Sequence, residues 1–412
     1  MTVGRVVNRI KERVRLEPAF VEVWGRWRSR QVVAGYRALR ERYAKEASAR
    51  GIRYRESDVP AAVARRLRDR GCSPATRSRG EVHTFGFVPS LSWHPQLLAA
   101  LRTFGPVTNF DYLQHGTTLE ELRENPQARR SLDSPLIEAL RRAHEQRPVD
   151  WCFIYATGSE LSAAAVRRIR DEFGVPTVCM CLDDKQSFVG RRHGEQWSGQ
   201  ISLAPAVDLC WTSSPVATEW YMAEGGCPIY LPEGCSPELF RSRRAAKKTD
   251  VVFVGGAYGF RPVIIEYLRF HGLSVLAHGP GWPDGTVPDD GIATVFDTAR
   301  VILGMGGVAH AENLTTVKGR DFDAAAHGGA PYLTSYNPDL ARHFHIGEEV
   351  LCYATRDEMV ELARRCVADP EWAEKIAAAG RTRCLAEHTW PHRFQRVLSV
   401  LGILDAGSLG GA

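Results

Sequence analysis

The sequence predicts an α/β protein of two doubly wound domains facing across a cleft, with a basic helical extension in front. Three observations predict it. At 412 residues the chain is too long for one ordinary domain. From residue 81 short apolar runs alternate with helical patterns, which requires crossover connections and a parallel sheet covered on both faces. A polar, basic stretch, Gly234–Lys248, interrupts this alternation once, and it then begins again. The boundaries read as 1–80, 81–244 and 245–388.

Residues 1–50 read as helix. Val6, Val7, Ile10 and Val14 recur at helical spacing, as do Trp24, Trp27, Val32, Val33, Tyr36, Leu39 and Tyr43. Residues 1–80 hold 21 Lys and Arg against 8 Asp and Glu, a net of +13, inside a chain whose net charge is +5. Such an arm could pack on its own fold, lie on an anionic membrane surface or hold nucleic acid. Residues 59–71 form another short helix, and Gly71–Gly80 has the composition of a linker.

In the next segment, strands are expected at Val82–Val88, Val107–Phe110, Trp151–Tyr155, Thr177–Leu182, Leu209–Thr212 and Ile229–Leu231. Helices are expected at Trp93–Phe104, 118–146, Leu161–Phe173 and Val216–Glu224. After the linker the strands are Val251–Val254, Ser274–Ala277, Val301–Leu303, Tyr332–Leu333 and Val350–Tyr353. The helices are Val263–His271, 356–367, 370–387 and Pro391–Leu404, and the Gly/Ser/Ala tail is expected to be disordered.

Composition excludes some classes. Hydrophobic content of 44% and charged content of 25% are those of a soluble globular protein. No apolar run reaches the ~20 residues that span a bilayer, and the N-terminus lacks an apolar signal core. The ten cysteines are scattered, and Cys152, Cys179 and Cys181 fall in strand-like runs. Buried reduced thiols in a cytoplasmic protein fit that pattern.

In doubly wound sheets, ligands bind at loops after strands, so chemistry is sought there. Lys318 and Arg320 precede a helix-forming run, where phosphate oxygens would meet two cations and the positive end of a helix. Asp323 lies about one turn on, placed to accept hydrogen bonds from sugar hydroxyls. Gly328 and Gly329 follow, and His327 beside them is expected to pack or hydrogen-bond. Gly255 and Gly256 directly follow a strand, and Arg261 opens the next helix, a second phosphate-type turn. Its spacing is not that of a dinucleotide fingerprint and no acid follows at the usual strand end, which disfavours a nicotinamide enzyme. Gly279 adds a third glycine after a strand, and Asn313 offers a neutral hydrogen-bonding group on the loop before Lys318.

Asp183 and Asp184 end a strand of the first domain. They suit hydroxyl recognition or proton transfer, although neighbours in an extended segment point to opposite sides. His94 opens a helix and Glu233 ends the last strand before the linker; both are candidates for acceptor binding. No metal site is expected, because a helix would splay Asp321 and Asp323 by roughly 200°. There is neither a Gly-x-Ser-x-Gly elbow nor a Gly-Lys-Ser/Thr phosphate loop.

One set of strings, in order, resembles the spore-maturation CgeB-type glycosyltransferases of the retaining GT-B superfamily. They are Asp250–Gly256 with Arg261, Leu276–Trp282, Gly319–Gly329, Phe344–Val350 with Tyr353, Ala377–Arg383 and Glu387–Arg393. A weaker likeness runs through Leu182–Asp184 and Tyr230–Gly234. The resemblance implies two Rossmann-like domains, a nucleotide-sugar donor held mainly by the C-terminal half and an acceptor on the N-terminal half. It also implies no catalytic metal or other cofactor, and a last helix, 389–405, that returns to the first domain. Lys318 with Arg320 or Arg261 would neutralise the leaving diphosphate. Asp323 stands where the ribose-binding acid is normally Glu, and Thr315 where related enzymes carry a second acid. Two other readings keep the fold: an epimerase or hydrolase of nucleotide sugars, and a non-catalytic protein that binds nucleotide sugar, nucleic acid or membrane.

Overall fold

Eleven of the strands assemble into two parallel sheets of six and five. The computed structural model describes residues 18–91, 94–194 and 196–404, with side chains from Gly25 onward except that of His193. The spacing of Val6, Val7, Ile10 and Val14, the Trp24 side chain, Trp93 and the 405–412 tail lie outside the described residues. The chain divides into an N-terminal unit, 39–232 with the segment from Trp390 on, and a C-terminal unit, up to Ala38 with 233–389.

In the N-terminal unit the strands are β1 (Thr84–Phe87), β2 (Val107–Asn109), β3 (Trp151–Ile154), β4 (Thr177–Cys181), a small hairpin of β5 (Arg192–His193) and β6 (Gln196–Trp197), β7 (Leu209–Thr212) and β8 (Pro228–Tyr230). The sheet order is β2-β1-β3-β4-β7-β8, with every pair parallel. β1, β3, β4 and β7 are buried along their whole length, as strands covered on both faces must be. Residues 59–72 do not stand apart as an extension, since Val59, Val63, Leu67 and Cys72 join this unit's core. The final helix, Trp390–Val400, also belongs to the unit, and its Phe394 lies 5.1 Å from the Phe153 ring and 5.6 Å from Trp211.

The expected single helix over 118–146 is three: Leu119–Glu124, Pro126–Ser131 and Asp133–Gln146. Pro126 forces the first break, because it has no N–H to continue a helix and its ring disfavours helical backbone at Asn125. Asn125 then caps the next helix by accepting from the Gln127 N–H at 2.9 Å.

The C-terminal unit carries β9 (Thr249–Val254), β10 (Val275–His278), β11 (Ala299–Leu303), the antiparallel pair β12 (Gly307–Val308) and β13 (Ala311–Thr315), β14 (Tyr332–Ser335) and β15 (Leu351–Tyr353). The main sheet runs β10-β9-β11-β14-β15, all parallel. Strand order reverses between β9 and β11, so the crevice that binds ligands in such sheets opens beside the loops after these two strands. The pair β12–β13 was not anticipated.

The long helix Pro18–Arg50 is shared between the units at residue 38. Its Val32, Val33 and Tyr36 pack on Val308, Ala311 and Leu314 of β12–β13. Further on, Tyr43 is fully buried in the N-terminal unit, stacked 5.6 Å from Trp220 with its hydroxyl donating to Glu224 at 2.5 Å. Among the described residues no helix is long and apolar enough to cross a membrane.

Candidate functional site

The strongest site in the C-terminal unit forms at the strand-order reversal. Gly255 follows β9 with φ +155°, and Gly279, after β10, has φ +134°. A Cβ at Gly279 would lie 2.5 Å from the Gly255 carbonyl oxygen, so the two loops touch backbone to backbone. That oxygen also accepts from the Trp282 indole N–H at 2.6 Å. The turn through Gly256 then leads into the helix Arg261–Phe270.

Two guanidinium groups flank this turn. A Cβ on Gly255 would lie 2.7 Å from an Arg320 nitrogen and 3.4 Å from Arg261 Nη1. Arg261 is 3% exposed and donates to the Gly256 carbonyl at 3.0 Å. Its guanidinium lies over the Tyr258 ring at 4.0 Å, and those of Arg261 and Arg320 lie 5.5 and 5.1 Å from the Phe253 ring. Burial, and then the charge of Arg320, push the Arg261 pKa down to about 10. Arg261 Nε and Arg320 Nη1 are buried without a hydrogen-bond partner, and among the described residues neither arginine forms an ion pair. Two crowded, desolvated cations of this kind call for an anion.

Lys318 caps the helix Gly319–His327 and places Arg320 in its first turn. Asp321 holds this helix start. Its carboxylate accepts from the Lys318 N–H at 2.8 Å and from the Tyr332 hydroxyl at 2.5 Å. Asp323 accepts from the Ser236 N–H at 3.4 Å, and burial pushes its pKa well up. The two carboxylates therefore have separate partners. Glu233 is 5% exposed, with its Cγ 3.9 Å from where a Gly319 Cβ would lie. It thus sits in the C-terminal unit, against the cationic helix start. Thr315 is half-buried on β13, opposite Gly307.

Other expected donor residues lie elsewhere. Gly328 and Gly329 close the far end of the helix, roughly 13 Å from its start at 1.5 Å per residue. Gly328 is the left-handed C-cap, φ +69°, against Arg381, and Gly329 packs on Ser242 and accepts from Lys247 at 2.7 Å. Their small size serves helix termination. His327 Nδ1 accepts from the Gly329 N–H at 3.2 Å, and its Nε2 lies 3.2 Å from Asp297. Asn313 is exposed on β13, a strand where a loop was expected.

In the N-terminal unit the adjacent acids part company. Asp183 is exposed after β4, and Asp184 is 1% exposed. Asp184 accepts from the Tyr221 hydroxyl at 2.7 Å and from the Thr212 hydroxyl, and burial raises its pKa to about 6. Both its oxygens are engaged within the unit, whereas Asp183 is open to solvent. His94, the other acceptor candidate, is 2% exposed, and burial lowers its pKa to about 4. Its Nδ1 accepts from the Leu91 N–H at 2.7 Å. With Asn109 and Asp111 it lines a cavity of about 540 Å3 at the ends of β1 and β2.

Sequence reasoning missed Asp321, Tyr332 and the loop Gly304–Gly307 after β11. A Cβ on Gly304 would collide with the Tyr332 hydroxyl. The string Gly-Met-Gly-Gly after an apolar strand was the available signal.

Residues 261–399 match the family model described as Glycosyl transferase-like. AviGT4, a glycosyltransferase involved in avilamycin A biosynthesis, superposes with a TM-score of 0.52 at 16% identity, covering 79% of this chain and 99% of its own. A glycosyltransferase from Rickettsia africae ESF-5 gives 0.52 at 9% identity, covering 78% and 97%. A trehalose-6-phosphate synthase gives 0.51 at 10% identity, covering 77% and 98%. No curated protein matches by sequence. At these identities the structural likeness concerns the GT-B fold of two Rossmann-like units.

Proposed function

We propose that this chain, with its GT-B-like fold, moves a sugar from a nucleoside-diphosphate sugar to an acceptor hydroxyl, as the CgeB-type likeness suggests. The observation that carries the reading is the pair of crowded guanidinium groups, Arg261 and Arg320, at the strand-order reversal. In this reading they hold the diphosphate together with Lys318 and the helix N-terminus, and Asp323 accepts from ribose hydroxyls. The bond from the sugar C1 to the diphosphate oxygen breaks, and the diphosphate leaves with the electron pair. An acceptor oxygen bonds to C1 and passes its proton to the departing diphosphate. Cations fixed around the leaving group stabilise the charge that grows there. The acceptor side is assigned to the N-terminal unit, with exposed Asp183 and the cavity beside His94 as its contacts. Because fixed side chains supply the positive charge, the proposed reaction needs no metal. The ten free thiols support a reducing, cytoplasmic setting.

Arg320→Ala and Arg261→Ala are each expected to lower turnover of a nucleotide-sugar donor by about 10²–10³-fold. A chelator should leave wild-type turnover unchanged. Donor-consumption assays on the purified chain measure both; unchanged turnover in the two variants would overturn the assignment.

A further inference from the structure

The positive charge of the first 80 residues is not absorbed by the donor site, and part of it gathers in one place. An open pocket of about 880 Å3 in the N-terminal unit is lined by Arg53, Arg55, Arg65, Arg66, Arg70 and Arg170, against Asp58 and Asp69. It includes Pro205 and Gly226–Pro228, just before β7 and at the start of β8. It therefore lies at the edge where the parallel strands begin, whereas Asp183 and the cavity beside His94 lie at the edge where they end.

These arginines fall into two groups. Arg70 and Arg170 are tied down by the buried Asp208. Arg70 binds it through two nitrogens at 2.8 Å, and Arg170 Nε lies 3.5 Å from it. The other four, Arg53, Arg55, Arg65 and Arg66, form no ion pair among the described residues. Arg66 donates only to backbone carbonyls, those of Gly225 and Pro205 at 2.8 Å each, and its Nε is buried without a partner. Carbonyl partners orient a guanidinium but do not neutralise it. Arg53, Arg55 and Arg65 are exposed around it and take part in neither core packing nor an ion pair among the described residues. Clustered arginines with free forks match the tetrahedral, multiply charged oxygens of phosphate.

We propose that this arginine-lined pocket binds a phosphate-bearing ligand at a site separate from the donor site. The phosphate group is the recognised element, whether a soluble phosphate ester or a lipid headgroup carries it.

The test uses the full chain with Arg261→Ala and Arg320→Ala, so that the donor cations do not contribute. Inorganic pyrophosphate is titrated by calorimetry into this background. It is titrated again after adding Arg53→Ser, Arg55→Ser and Arg65→Ser, and separately after adding Arg40→Ser, Arg130→Ser and Arg167→Ser, exposed arginines of the same unit outside the pocket. The pocket substitutions are expected to weaken binding about tenfold or more, with unchanged circular dichroism, and the charge-matched control to change it little. Flotation with phosphatidylcholine vesicles, with and without phosphatidic acid, separates the sources. Arginine-dependent flotation with phosphatidic acid assigns a lipid headgroup, and pyrophosphate binding without flotation assigns a soluble ester. Equal weakening in both sets, or no binding of either probe, overturns the proposal. These results do not depend on turnover, so they stand or fall apart from the donor assignment.

Discussion

Asp183 and Asp184 are chemically identical neighbours with opposite fates. Asp184 is shut inside, where the hydroxyls of Tyr221 and Thr212 compensate only part of the cost of its charge. Its pKa near 6 stands above the ordinary 3.8, so the folded state holds the proton more tightly than the unfolded chain. Stability from this group is complete below about pH 4 and is lost as pH rises through about 6. Asp184→Asn removes that titration. Wild type should therefore gain stability relative to the variant as pH falls from 7 to 4, by up to about 3 kcal/mol from a two-unit shift. Urea unfolding of both proteins across that range measures it, and a flat difference would refute the assigned burial cost. Arg261 and Arg320 show the reverse: among the described residues nothing offsets their repulsion and desolvation, and in the proposed donor site the diphosphate would do so.

At the scale of elements, the proposed donor site depends on loops that approach more closely than side chains allow. Gly279→Ala adds a Cβ 2.5 Å from a carbonyl oxygen at a φ that only glycine adopts freely. It should cost about 2 kcal/mol and weaken donor binding by displacing the Gly255 turn. Gly272→Ala is the comparison. Its φ is +83° but nothing lies within 4 Å of the added carbon, so about 1 kcal/mol of backbone strain is expected with donor affinity intact. Thermal melts and nucleotide titrations of both variants decide this. The element reading was good where apolar runs were long and failed where a strand was two residues long, as in β5, β6 and β12, or mostly polar, as in β13. It failed also at Asn125-Pro126, where turn chemistry was present but unread.

For the whole molecule, the last helix matters most to the N-terminal unit. Phe394 is fully buried among Trp151, Phe153, Trp211 and Trp390. Phe394→Ala should cost about 3–5 kcal/mol. Denaturant unfolding followed by tryptophan fluorescence should show the loss, because those three indoles surround the ring.

The sequence by itself determined the two parallel sheets, the glycine turn after β9, and the cationic start of the helix Gly319–His327. Those features are local: periodicity, propensity and turn chemistry write them into short windows. Tertiary structure alone decided which adjacent acid is buried, that Gly328 and Gly329 terminate a helix, and that Glu233 joins the cationic helix start. It also decided that Arg261 and Arg320, 59 positions apart, flank one turn with no counter-charge among the described residues. Burial and pairing depend on what a distant segment brings alongside, and no window of sequence contains that information.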